Sequence, residues 1–262
     1  IVFKRRMHMN GKVMMVTGGS SGMGKAMAQK FAEAGAKVVI TGRSLERLEA
    51  AKEEIEQYEG QILCIDMDVR DPERVQYTVD KTVEMFGKID GLVNNAAGNF
   101  LCAAEDLSYN GWHSVIDIVL NGTWHCTQAV GKEWIKNGQR GRIINMVATY
   151  AWRAGIGVIH SASAKAGVLS MTRTLAVEWG SKYGINVNAI APGPIDNTGG
   201  SGKLSLSEEA KQQTLDSVPL GRMGQPEEIA GLAKFLMSED ASYINGACMT
   251  MDGGQWLNQN PF

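Results

Sequence analysis

The sequence is poor in cysteine and has almost no net charge. Its 262 residues include four cysteines without any C-x-x-C spacing: Cys64, Cys102, Cys126 and Cys248. This scatter does not suggest a zinc site, a thioredoxin-like redox motif or a disulfide framework, so no metal is predicted and a reducing, cytoplasmic compartment is expected. The formal net charge is −2, which argues against a binder of nucleic acid or of an anionic membrane surface.

Long apolar runs are also missing. No stretch of about 18 apolar residues occurs, so no membrane insertion is predicted. The basic start IVFKRRMHMNGK leads into the strand-like VMMVT and a glycine loop, not into the apolar core and cleavage site of a signal peptide. We expect residues 1–11 to be disordered or left over from expression, and residues 12–262 to form one domain, because no linker interrupts them.

Short apolar runs alternate with segments of helical period along the chain. The runs are continuously apolar, as expected of strands covered on both faces. They lie at residues 13–17, 37–41, 61–66, 91–95, 142–146, 185–190 and 248–251. This order predicts an α/β fold of Rossmann type, a doubly wound parallel sheet of about seven strands with helices on both faces. The irregular stretch 197–207 is either a flexible lid or a surface loop.

A glycine-rich loop, TGGSSGMG, directly follows the first predicted strand and opens a helix. Its first glycine permits a tight turn, the one at position 22 lets the backbone approach a phosphate, and the last lets the helix pack closely on the sheet. Free N–H groups at the helix start attract an anion. The loop therefore predicts dinucleotide binding, with a purely structural turn as the alternative. The residues concerned are Gly18, Ser20, Ser21, Gly22, Met23 and Gly24.

The end of the second predicted strand should select the nicotinamide cofactor. An acidic side chain there accepts from the ribose 2′-hydroxyl of NAD, whereas a basic one holds the 2′-phosphate of NADP. The residues present are Gly42-Arg43-Ser44, without a carboxylate. Because a guanidinium can make a bidentate contact with phosphate, Arg43 and Ser44 predict NADP(H), unless Arg43 merely faces solvent.

These motifs together resemble the short-chain dehydrogenase/reductase family over essentially the whole chain from residue 12. The resemblance rests on the T-G-x-x-x-G-x-G spacing, the Asp-Val pair at 68–69 and the turn NNAAG at 94–98. In that family the Asp-Val pair contacts adenine and the turn supports the strand beneath the cofactor. A strand-end carboxylate and a turn asparagine are the alternatives. The resemblance assigns the family roles to Asp68, Val69, Asn95 and Ala96.

The usual catalytic pair of that family is missing. Its members place a serine after the fifth strand and a tyrosine four residues before a lysine on the next helix. Here Lys165 is present, but Ser161 stands at the tyrosine position and Ala148 at the serine position. A serine hydroxyl cannot replace a phenol, because its intrinsic pKa lies far above the phenol value of about 10. Either the enzyme is dead or the acid has moved.

Tyr150 is the candidate for the displaced acid. It lies fifteen residues before Lys165, a spacing that resembles the 2,4-dienoyl-CoA reductases, as do NMVATYAW, HSASAKAGV, NNAAGNF, DIVLNGT and APGPI. The resemblance implies that Asn121 and Tyr150 hold the substrate thioester oxygen, while Lys165 binds the nicotinamide ribose and Ser161 helps to position it. As alternatives, Tyr150 packs beside Trp152 and Asn121 marks a helix break. By the same resemblance, further cofactor contacts are assigned to Pro192, Gly193 and Ile195.

The function implied by the resemblance is NADPH-dependent reduction of a 2,4-dienoyl-CoA thioester to a 3-enoyl-CoA in the oxidation of unsaturated fatty acids. Hydride at the far end of the conjugated system sends negative charge to the thioester oxygen, where Tyr150 and Asn121 would form an oxyanion hole. A 3-oxoacyl-thioester or other carbonyl reductase, and a catalytically dead NADP-binding protein, are the alternatives.

Three side chains are candidate contacts for the acyl-CoA substrate, because coenzyme A needs cations and an apolar slot. They are Arg70, Phe100 and Lys203, each of which is equally well explained as a solvated surface residue. His160 is expected to be a helix-start residue and not the acid. The family resemblance also implies a homotetramer, assembled through apolar helix faces within 112–134 and 169–179 and through the C-terminal GGQWLNQNPF.

Overall fold

Seven parallel strands form one sheet in the part of the chain that the structure describes. The structure is a computed structural model that describes residues 9–56, 61–196 and 208–258. The strands are β1 (Val13–Thr17), β2 (Lys37–Gly42), β3 (Ile62–Asp66), β4 (Gly91–Asn94), β5 (Arg142–Met146), β6 (Asn186–Pro192) and β7 (Cys248–Met251). They lie in the order β3-β2-β1-β4-β5-β6-β7. The predicted α/β class and parallel sheet are therefore confirmed.

Helices connect consecutive strands and cover the sheet. The described helices are α1 (Gly22–Ala32), α2 (Leu45–Ile55), α3 (Pro72–Phe86), α4 (Tyr109–Ile116), α5 (Gly122–Lys136), α6 (Ile159–Tyr183), α7 (Glu208–Asp216) and α8 (Pro226–Leu236). Local sequence explains their ends. The Asp71 carboxylate accepts hydrogen bonds from the first turn of α3, and Gly87, at φ 82°, ends the helix in the left-handed conformation.

The apolar core lies on both faces of the sheet. Met14 and Val16 of β1 pack with α1, α2 and α8 on one face, whereas Met15 packs with α3, α5 and α6 on the other. Every residue of β1 is consequently buried. This arrangement explains why the strand sequences are apolar at successive positions and do not alternate with polar residues.

The described residues include three that precede the expected start of the domain at residue 12. Met9 is only 3% exposed, and its N–H donates to the carbonyl of Ala34 at 2.7 Å. Residues 9–11 therefore pack with the domain, while residues 1–8 lie outside the described residues. No helix in the described ranges combines the length and the apolar character needed to span a membrane.

Two aromatic residues in the segments expected to form intersubunit faces make contacts within the chain. Trp134 is fully buried, and its indole N–H donates to the carbonyl of Ile89 at 2.7 Å. Trp179 of α6 lies against Gly131 of α5. An apolar helical pattern does not distinguish a face that packs inside the domain from one that packs against another subunit, and the homotetramer remains a prediction.

A pair of glycine substitutions tests the contact between α5 and α6. An added Cβ at Gly131 would lie 2.5 Å from the Trp179 ring, whereas one at Gly231 in α8 meets nothing within 4 Å. Gly231→Ala should therefore raise the free energy of unfolding by about 0.5–1 kcal/mol through helix propensity. Gly131→Ala should lower it by about 1 kcal/mol or more, because overpacking outweighs that gain. Urea unfolding measures both, and equal effects would contradict the described packing.

Candidate active site

The glycine-rich loop lies at the carboxyl end of β1, where α1 begins. Gly18 and Gly22 have φ angles of 65° and 52°, in the left-handed region that side chains disfavour. A Cβ on Gly24 would lie 2.2 Å from the carbonyl oxygen of Gly18, so no larger residue fits there without rearrangement. Ser21 is the N-cap residue, and its side chain makes no capping hydrogen bond within the described residues. The cradle thus leaves the start of α1 open toward an anionic group, and it fits a dinucleotide phosphate.

The turn after β4 is tied to this loop by hydrogen bonds. The Asn95 amide donates to the carbonyls of Thr17 and Gly18, both at 3.1 Å. The Thr17 hydroxyl oxygen accepts from the backbone N–H groups of Asn95 and Ala96, both at 3.0 Å. Asn95 and Ala96 therefore support the loop from beneath, and any direct contact with a cofactor remains a prediction.

At the end of β2, Arg43 is exposed beside the cradle. The neighbouring Ser44 hydroxyl oxygen accepts from the N–H of Arg47 at 3.3 Å and so caps α2. Arg43 also lies close enough to Asp68 that its charge helps to lower the pKa of that carboxyl. The edge of the site predicted to select the cofactor therefore presents a guanidinium.

Asp68 and Arg70 form an ion pair after β3. The Arg70 guanidinium donates to the Asp68 carboxylate at distances of 2.5 and 3.0 Å. These hydrogen bonds are the main cause of the lowered pKa of Asp68. Arg70 was expected to contact coenzyme A, but its charge is already paired, so it is a weaker candidate than the sequence suggests. Val69, between the two, is buried and lies against Gly122 of α5.

Tyr150, Ser161 and Lys165 come together after β5. Tyr150 lies in a single 3-10 turn, Thr149–Ala151, and its hydroxyl is 3.2 Å from that of Ser161, either of which can donate. Lys165, one turn further along α6, donates to the carbonyl of Met146. Trp152 packs on Trp256 with its ring centroid 5.9 Å away. The phenol therefore reaches the helix position that Ser161 occupies, and its hydroxyl does not merely fill a loop.

Burial moves the pKa values of the phenol and the ammonium in opposite directions. It raises the pKa of Tyr150, against the smaller opposing effect of the Ser161 hydroxyl. It lowers the pKa of Lys165 to about 8. Each shift favours the neutral form, because a buried charge loses its hydration. At neutral pH the site therefore holds a protonated phenol that can donate a hydrogen bond.

Asn121 lies at a helix irregularity, and its contact with a substrate remains a prediction. It ends a π-helical turn, Asp117–Asn121, that joins α4 to α5, and its amide donates to the Asp117 carboxylate at 2.8 Å. Among the described residues no hydrogen bond joins Asn121 to Tyr150, and Asp117, four residues earlier on the same helical face, takes one of the two amide hydrogens of Asn121. The second amide hydrogen is the one left to serve a substrate. The helix irregularity predicted as an alternative is present.

Phe100 and His160 form an aromatic contact that the sequence did not indicate. Their ring centroids are 4.4 Å apart at an interplanar angle of 74°, with Phe100 37% exposed. His160 is the second residue of α6, as expected of a helix-start residue. It is buried, neither ring nitrogen has a hydrogen-bond partner among the described residues, and burial lowers its pKa. A neutral imidazole therefore backs the exposed Phe100 ring.

The remaining predicted contacts lie near the end of β6 or outside the described residues. Pro192 ends β6, and the N–H of Gly193 donates to the carbonyl of Met251 at 2.9 Å. Ile195 pairs with Gly224 in an isolated parallel bridge. Lys203 and the predicted lid 197–207 lie outside the described residues. The described part of this segment therefore borders β7 and the C-terminal residues.

Sequence and structure comparisons identify the family. A profile described as "Enoyl-(Acyl carrier protein) reductase" matches residues 18–255. The chain is 62% identical to a Bacillus subtilis protein named "Probable 2,4-dienoyl-CoA reductase [(2E)-enoyl-CoA-producing]", over 97% of this chain and 100% of that protein. It is 44% identical to "Probable 2,4-dienoyl-CoA reductase 3 [(3E)-enoyl-CoA-producing]" of Caenorhabditis elegans, over 94% and 81% of the two chains.

A solved structure of a short chain dehydrogenase from Bacillus anthracis superposes with a TM-score of 0.89 at 64% identity, covering 96% of this chain and 99% of that one. The expected resemblance is confirmed: this chain belongs to the short-chain dehydrogenase/reductase family.

Proposed function

We propose that this chain is an NADPH-dependent 2,4-dienoyl-CoA reductase. The observation that carries the proposal is the 3.2 Å contact between the Tyr150 and Ser161 hydroxyls, with Lys165 on the next turn of α6. A phenol thus reaches the helix position that holds serine in this chain. The names of the relatives from Bacillus subtilis and Caenorhabditis elegans support the same substrate class.

The residues around the cradle fit NADP(H). Gly18, Gly22 and Gly24 leave room for the pyrophosphate at the start of α1, and exposed Arg43 would hold the 2′-phosphate. Lys165, buried and within reach of the Met146 carbonyl, would bind the nicotinamide ribose. When bound, the cofactor supplies a hydride.

Tyr150 acts on the charge that hydride addition creates in the substrate. Hydride at C5 of a dienoyl thioester spreads negative charge over the thioester oxygen, C2 and C4. The raised pKa of Tyr150 keeps the phenol protonated, so it donates to the oxygen, while the Ser161 hydroxyl orients it. The second amide hydrogen of Asn121 completes the oxyanion hole. A proton delivered to carbon by the Tyr150 phenol, directly or through a water, completes the reduction. Delivery to C2, which is bonded to the thioester carbon, would give the 3-enoyl-CoA, and delivery to C4 the 2-enoyl isomer.

Removing the phenolic hydroxyl should cost most of the turnover. Tyr150→Phe deletes a donor to the transition state, so kcat for a dienoyl-CoA should fall by about 10²-fold or more with NADPH binding preserved. Ser161→Ala should have a milder effect, because its hydroxyl only positions other groups. Loss of NADPH absorbance measures the rate, and chromatography of the acyl-CoA identifies the product isomer. Full activity in Tyr150→Phe with none in Ser161→Ala would refute the displaced acid.

Arg43 should determine the preference for NADPH. One charge-assisted phosphate contact contributes about 1.5–3 kcal/mol, so Arg43→Ala should raise the KM for NADPH about tenfold or more and leave the KM for NADH nearly unchanged. Arg47→Ala is the matched control, since Arg47 is also exposed and lies in the first turn of α2. Equal effects of Arg43→Ala on both cofactors would contradict the assignment.

The lowered pKa of Lys165 predicts how stability depends on pH. The folded pKa is about 8, below the usual value of 10.5, so between these values the unfolded chain holds a proton that the folded chain has lost. The free energy of unfolding should therefore increase as pH rises through this interval, and Lys165→Met should lack this increase. NADPH affinity should fall over the same interval, because the ammonium loses its proton. Urea unfolding and NADPH titrations measure the two effects, and identical pH profiles for both proteins would contradict the prediction.

The homotetramer and the cytoplasmic location expected from the sequence remain predictions. Trp134 and Trp179 are engaged within the chain, which leaves other surface for subunit contacts. On α5 and α6 the exposed large apolar side chains of the described residues are Trp124, at 37% exposure, Ile159, at 44%, and Val177, at 77%. A tetramer built on these helices would have to use such residues.

A further inference from the structure

The turn that carries Tyr150 has little local support. It is a single 3-10 turn in which the N–H of Ala151 donates to the carbonyl of Ala148 at 2.9 Å. The turn is closed by hydrogen bonds from the N–H groups of Trp152 and Arg153 to the carbonyl of Thr149, at 3.3 and 3.1 Å. A residue inside a long helix is held by the hydrogen bonds of several turns, whereas an isolated 3-10 turn has few and poorer ones. The position of the phenol therefore depends on tertiary contacts.

A second turn, at residues 253–258 near the C-terminus, supplies such contacts. Asp252, only 8% exposed, shapes it by accepting hydrogen bonds from the N–H groups of Gly254 at 2.9 Å and Trp256 at 2.7 Å. Gly253 and Gly254 both have positive φ angles, which the tight reversal after β7 requires. We call residues 253–258 the C-terminal turn.

Both residues that close the Tyr150 turn touch the C-terminal turn through their side chains. The Trp152 ring meets the Trp256 ring edge to face, with centroids 5.9 Å apart and an interplanar angle of 89°. The Arg153 guanidinium donates to the carbonyl of Gln255 at 3.4 Å. Edge-to-face pairs of this kind contribute stability beyond the area that they bury. The two turns are therefore joined at two adjacent positions.

The C-terminal turn is itself anchored on its other side. The Gln255 side-chain amide donates to the Ser217 hydroxyl at 2.8 Å, and the Asn258 amide donates to the Ser217 carbonyl at 3.0 Å. Ser217 directly follows α7. Trp256 therefore projects from a segment held by Asp252 before it and by Ser217 beside it.

We propose that Trp256 is a positioning residue for Tyr150. It holds Trp152, and through Trp152 it fixes the turn from which the phenol reaches Ser161. The inference rests on the proposed function only in taking Tyr150 as the donor. A donor displaced by about 1 Å can cost up to 10²-fold in rate, so partial loosening of this turn has a measurable effect.

Trp256→Ala should lower kcat for a dienoyl-CoA roughly tenfold and leave the KM for NADPH unchanged. Trp256→Phe, which keeps an aromatic edge, should restore most of the rate. Leu257→Ala is the matched control, because Leu257 lies on the same turn, is 67% exposed and has no ring contact with Trp152. A loss in Leu257→Ala equal to that in Trp256→Ala would overturn the proposal. If Trp256→Ala fails to fold, Trp256→Leu takes its place.

A double variant tests whether Trp256 acts through Tyr150. In the Tyr150→Phe background Trp256→Ala should cause no further loss of turnover, because the hydroxyl that it positions is gone. Hydrogen exchange supplies a readout independent of activity: amides of residues 149–153 should exchange faster in Trp256→Ala than in wild type. Independent, multiplicative losses or unchanged exchange would overturn the proposal. Failure of wild-type protein to reduce any dienoyl-CoA would reject the proposed function alone, since exchange still reports on the turn.

Discussion

The hydrogen bonds between the Asn95 amide and the carbonyls of Thr17 and Gly18 hold together the part of the sheet on which the site depends. They join the ends of β1 and β4, where the strand order reverses and where doubly wound sheets open a crevice. Gly24 has to be glycine because α1 starts directly against the same atoms. One polar side chain thus sets the distance between the phosphate cradle and the strand that leads into the catalytic half of the chain.

Relative to the usual arrangement of the family, the proposed acid has a different position, whereas the lysine keeps its place. Lys165 stays on α6 beside the Met146 carbonyl, and Ser161 replaces the phenol one turn earlier. Tyr150 reaches Ser161 from the preceding loop, so the proposed proton donor would approach the substrate from another direction. This suits a substrate that takes hydride at one end of a conjugated system and gathers charge at the other. Burial of the ammonium is costly, which the lowered pKa of Lys165 records.

The sequence predicted the sheet well because both faces are covered. β1, β5 and β7 begin and end where their apolar runs do, while β6 extends to Pro192, beyond its predicted end. The family resemblance also led to Tyr150, whose hydroxyl lies 3.2 Å from that of Ser161, while its role as the acid remains a prediction. The partners of charged and aromatic side chains were harder to predict from the sequence. The Arg70 guanidinium forms an ion pair with Asp68. The sequence shows that Arg70 is a cation, but it does not show that a carboxylate neutralises its charge. Trp134 is buried inside the domain, and helical periodicity alone does not show whether an apolar face packs inside the domain or against another subunit.

The contact between Trp152 and Trp256 could not be predicted for a different reason. The two residues belong to turns about one hundred positions apart, and neither turn has a periodic pattern. A helix supports an acid through its own backbone, so nothing outside it needs to be specified. A loop has no such backbone ladder, and its support has to come from elsewhere in the fold. A phenol on the loop and not on α6 therefore depends for its position partly on the C-terminal turn. This turn also contacts Ser217, the residue after α7, and so it lies between the proposed acid and α7.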